Sequence, residues 1–72
     1  MKQSELNMAL TLLLIDREIL KQKYHIELIK TKINDYGSYK HHVARVHKMA
    51  YLHAMNELTG AIISLELELG LR

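Results

Sequence analysis

The chain has 72 residues, a formal net charge of +2, and no cysteine, proline or tryptophan. A chain this short forms one domain and buries little surface, so a disulfide, a metal or association with another chain is expected to support it. Without cysteine, disulfides and thiolate metal sites are excluded, and association is left as the leading source of added stability. The composition suits helices, and the small net charge does not by itself argue for nucleic acid.

Ser4 reads as the N-cap of a first helix over about 4–35. An apolar run, Met8 to Ile15, opens it. The run is too short to span a bilayer and Asp16 closes it, so no membrane partner is expected. Glu5 lies ahead of the run and no small-residue cleavage site follows, so a secretory leader is not expected and a cytoplasmic location is. Along the same helix, Met8, Leu12, Ile15, Ile19, Gln22, Ile26, Ile29, Ile33 and Tyr36 alternate spacings of four and three without a slip. That heptad stripe holds one helix face toward a partner helix. Leu6, Leu10, Leu13, Leu20 and Tyr24 form a second apolar row, with Arg17 as its odd member.

Asn34-Asp35-Tyr36-Gly37-Ser38 punctuates the chain. Asn, Asp and Gly suit the end of a helix, and Ser38 suits the start of the next. A turn at about 35–38 then leads to a second helix over about 38–69, with Gly70 placed as its stop. The helix carries Tyr51, Met55, Leu58, Ile62, Leu65 and Leu69 on one face and Val43, Ala50, Ala54, Ala61 and Ser64 on an adjacent one. Residues 1–72 are thus expected to form a single all-α domain, a two-helix antiparallel hairpin. One hairpin cannot cover two apolar rows on each helix, so two copies are expected to form a four-helix bundle. The expected dimer core comprises Leu12, Ile15, Ile19, Gln22, Ile26, Ile29, His53, Leu58, Ile62 and Leu65.

With the bend near Gly37, facing residues lie equally far from it along the chain. Arg17 is then expected near Glu57, and Gln22 near His53, as a hydrogen-bonded polar layer within one hairpin or across the dimer.

Charge is unevenly placed. Residues 21–48 carry seven basic against two acidic side chains, and the flanks three basic against six acidic. In a hairpin the basic segment becomes one tip. Lys40, His41, Arg45 and Lys48 are the candidate phosphate contacts there, with Tyr36 and Tyr39 available to stack on unpaired bases. An RNA-binding dimer of this kind would be similar, in architecture only, to the plasmid Rop-type proteins. No two of His41, His42, His47 and His53 have the i, i+3 or i, i+4 spacing of a helical metal site, so neither metal nor cofactor is expected.

Leu14-Ile15-Asp16-Arg17-Glu18-Ile19-Leu20 resembles, over seven residues, the first helix of the helical chorismate mutases. That resemblance implies flanking arginines that hold a dianionic substrate. Ala9 stands upstream and Tyr24 and His25 downstream, so the clamp is missing and no enzyme is expected. Ile63 and Leu67 form a further apolar row near the C-terminus and are the candidate protein-binding residues. The functional expectation is a non-enzymatic regulatory, adaptor or inhibitor protein, of a kind carried by phages and mobile elements. It would act as a helical homodimer that binds another protein, with nucleic-acid binding through the basic tip as the alternative.

Overall fold

The computed structural model describes residues 2–72. It contains helix α1, Gln3–Ile33, and helix α2, Tyr39–Glu68, packed against each other as an antiparallel hairpin, with no strand among the described residues. Three of the four helix ends have a local cause. Lys2 stands at the N-cap of α1 and makes no side-chain cap bond, so Ser4 lies inside the helix instead of capping it. At the bend Asn34 caps α1 and donates its side-chain amide to the Lys30 carbonyl at 2.8 Å. Gly37 then takes the left-handed conformation, φ +84°, that side chains with a Cβ resist. Ser38 caps α2, its Oγ accepting from the His41 N–H at 3.1 Å. At the far end Gly70, φ +75°, closes a Schellman motif. In it, Leu71 N–H donates to the Glu66 carbonyl at 2.8 Å and Gly70 N–H to the Leu67 carbonyl at 3.1 Å.

The hairpin is a rod of 51 × 16 × 14 Å. Its radius of gyration is 16.0 Å, where a compact globule of this length would have about 11 Å. The shape is costly in surface. The accessible area is 5468 Å² for an 8.4 kDa chain, against about 4,600 Å² for a typical folded monomer of that mass.

The seam between the helices runs along Leu6, Leu10, Leu13, Arg17, Leu20, Tyr24, Glu27 and Thr31 of α1, every one of them half-buried or buried. From α2 come Ala44, Lys48, Tyr51, Met55, Leu58, Ile62, Leu65 and Leu69. Both rows keep alternating spacings of three and four, the coiled-coil pattern for two helices crossing at a small angle. The seam has two halves. Toward the open end it is aliphatic and closes around Leu10, 9% exposed, and Ile62, 2% exposed. Toward the bend it turns polar. There Ala44, 2% exposed, lets the helices approach, and the Glu27 carboxylate is buried between them.

Glu27 Oε1 lies 3.4 Å from Lys30 Nζ and 3.9 Å from His47 Nδ1 on the facing helix. Glu27 and His47 are each ten residues from Gly37, so the register centred on that glycine holds in the structure.

Candidate interaction surfaces

The unbroken heptad stripe of α1 lies outside this seam. Met8, Leu12, Ile15, Ile19, Ile26, Ile29 and Ile33 are exposed by between 46% and 74%, and Gln22 among them is exposed as well. At 100° per residue the stripe is centred about 160° around α1 from the seam row. The two apolar rows therefore face nearly opposite directions, where the sequence had suggested neighbours. The expected dimer-core set divides accordingly. Leu12, Ile15, Ile19, Gln22, Ile26, Ile29 and, on α2, His53 point outward. Leu58, Ile62 and Leu65 belong to the hairpin's own seam, and Ile62 has no surface left to give to another chain.

Within one hairpin Gln22 and His53 make no hydrogen bond; each projects from the outer side of its helix. Their separation does not disturb the register, because register concerns position along the axis and facing concerns rotation about it. Arg17 is half-buried at its seam position and Glu57 is exposed, and the two form no ion pair among the described residues.

The outer side of α2 carries Val46, Met49, His53, Asn56, Gly60, Ile63 and Leu67, again at alternating spacings of three and four. It is a weaker apolar surface than the stripe of α1, since three consecutive positions are His, Asn and Gly. Leu67 is 59% exposed, whereas Ile63 is already half-buried against the hairpin.

At the bend an open groove of about 320 Å³ is lined by Glu27, Lys30, Asn34, Lys40, Val43, Ala44 and His47. Of the candidate phosphate contacts, Lys40 and Arg45 are exposed, while His41 and Lys48 are half-buried toward the seam. The His41 ring also lies 5.1 Å from that of Tyr36. His41, Arg45 and Lys48 follow at spacings of four and three and share one side of α2, whereas Lys40 stands about 100° round the helix from them. Tyr36 and Tyr39 are 90% and 82% exposed. Glu27, the buried acid of this end, was missed in the sequence. Its signal was present, since it continues the heptad spacing of Leu20 and Tyr24.

Among the described residues no group of three or more His, Asp or Glu could hold a metal ion. No described helix is long and apolar enough to cross a membrane. No family of known proteins, no curated protein and no solved structure matches the chain.

Proposed function

We infer that the chain is a non-enzymatic regulatory or adaptor module that acts by protein–protein binding, with two hairpins assembled through α1. The observation that carries this reading is the exposed stripe from Met8 to Ile33. A continuous aliphatic row of that length left to solvent marks an association surface, because isolated apolar residues are common on surfaces and contiguous rows are not. The hairpin's area exceeds that of a compact monomer by roughly 850 Å², about what one partner contributes to a standard interface. The weaker row on α2, with Leu67 at its most exposed, is then the surface left for a different protein.

A second reading uses the bend. Tyr36 and Tyr39 stand almost fully exposed among Lys32, Lys40 and Arg45, which suits contact with single-stranded nucleic acid. Capture of partners with and without nuclease, repeated across a salt series, separates the two. The protein reading expects a protein retained through nuclease and high salt and weakened by about 1–2 kcal/mol in Leu67→Ala, with a smaller contribution from Ile63→Ala. Binding that vanishes with nuclease, falls steeply with salt and drops in Arg45→Ala and Lys48→Ala supports the nucleic-acid reading instead.

A further inference from the structure

We propose that two copies of the chain pair antiparallel through their α1 stripes, about a two-fold axis that passes between Leu20 and Lys21. This rests on the homodimer reading above and adds its geometry. The stripe is close to opposite the seam, so α1 is sandwiched between its own α2 and the second copy's α1. The assembly is then a row of four helices with the two α1 helices in the middle.

Direction and register follow from the charges that border the stripe. On one border stand Ala9, Asp16, Lys23 and Lys30; on the other stand Thr11, Glu18, His25 and Lys32. Both borders are acidic in the middle of α1 and basic toward the bend. In an antiparallel pair centred between Leu20 and Lys21, the layers are Met8 with Ile33, Leu12 with Ile29, Ile15 with Ile26, and Ile19 with Gln22, each occurring twice. Every member of the stripe within α1 is used. Residues of the same border face one another across such a pair, so Asp16 meets Lys23 of the second copy, and Glu18 meets His25. Ala9 and Thr11 meet Lys30 and Lys32. No like charges face each other.

Shifting the pair by one heptad spoils this. One direction sets Asp16 against Asp16 and Glu18 against Glu18. The other sets Lys23 against Lys23. Like charges held together across an interface oppose association and so select the register. A parallel pair is disfavoured on a larger scale, because it places two basic bends side by side. The antiparallel pair sets each basic bend beside the open end of the other copy, where Glu5, Glu66 and Glu68 outnumber Lys2 and Arg72 and Arg72 is already paired with Glu66. Gln22, the polar member of the stripe, falls in the two layers that flank the axis. A polar residue at the centre of such an interface fixes orientation at some expense of stability.

The experiment combines sedimentation with distances between spin labels. The chain has no cysteine, so each introduced cysteine is the sole label site. Lys21→Cys and Lys32→Cys both replace exposed residues outside the proposed ion pairs. The antiparallel pair expects the two Lys32 sites about 35 Å apart along the axis and the two Lys21 sites level with each other. Equal short distances at both sites would mean a parallel pair and overturn the geometry. A sedimenting dimer that fits neither pattern would place the interface elsewhere and also overturn it. A chain that sediments as a monomer at micromolar concentration would overturn the homodimer reading itself, which keeps the two failures distinct. As an independent arm, Asp16→Lys should weaken dimerisation by about five- to tenfold through two symmetric repulsions, and adding Lys23→Asp should restore it. A parallel pair faces Asp16 with Thr11, so there Asp16→Lys has little effect and the double substitution restores nothing.

Discussion

The two faces of α1 invert the expected relation between regularity and burial. The inner row contains Arg17, Glu27 and Thr31 among its leucines, yet it forms the hairpin seam and reaches 9% exposure at Leu10. The outer row is almost entirely aliphatic, holds its spacing from Met8 to Tyr36, and remains exposed throughout. The inner face is complete once α2 lies on it, because α2 supplies a matching row from Ala44 to Leu69. The outer face has no such match within one chain. An unbroken aliphatic stripe is therefore no guide to which face the chain's own second helix covers; here the less apolar row takes the seam.

Substitution of one residue on each face should break this comparison most sharply. Ile62→Asp places a charge where only 2% of the side chain is exposed, at an expected loss of about 4 kcal/mol or more. Circular dichroism should show that variant unfolded. Ile19→Asp puts the same charge on a side chain 46% exposed, and the hairpin should keep its helical signal. What it should lose is the concentration dependence of its melting temperature, because assembly stabilises a fold by mass action. From the stripe alone, Ile19→Asp and Ile26→Asp would be expected to disrupt folding; their exposure redirects that expectation to association.

Alanine substitutions should sharpen the same contrast in an Ile26→Asp background, where only hairpin stability is measured. Leu10→Ala should lose about 2–3 kcal/mol by urea denaturation. Ile29→Ala, at 56% exposure, should lose less than about 1 kcal/mol. Equal losses would mean that the two faces are buried alike.

Smaller effects concern the bend and the outer side of α2. Gly37→Ala forces a Cβ into φ +84° and should cost about 1 kcal/mol in thermal or urea unfolding. Gly60→Ala should do the reverse. Nothing lies within 4 Å of a Cβ built there, so removing a mid-helix glycine should gain up to about 1 kcal/mol. Gly60 lies on the outer side of α2, so assembly through α1 should be unaffected. A dimer weakened by Gly60→Ala would move the interface to α2.

Much of the hairpin was legible before its structure. The breaks around Asn34–Ser38 and at Gly70 rest on local backbone chemistry, and so does the cap at Ser38. The position of Gly37 predicts the register that Glu27 and His47 display. Ser4 misleads because a good capping residue is only a preference, and α1 already begins at Gln3. The rotation of α1 about its axis was not legible. Periodicity tells which residues share a face, and is silent on which neighbour covers it. That choice depends on how the short link between Ile33 and Tyr39 delivers α2, and on which row of α1 fits the leucines and Ala44 of α2. Gln22 and His53 are both polar and lie at similar distances from the bend, which suggests a pair, but each faces away from the seam.

If the outer stripe of α1 is an association surface rather than an incidental apolar face, one charge placed in it should abolish assembly and leave the hairpin folded. Sedimentation equilibrium of the wild-type chain beside Ile26→Asp, at micromolar concentration and with helical content recorded for both, tests it most directly. A wild-type dimer and a helical Ile26→Asp monomer are expected. A wild-type monomer, or an Ile26→Asp variant that still dimerises with wild-type affinity, would contradict it.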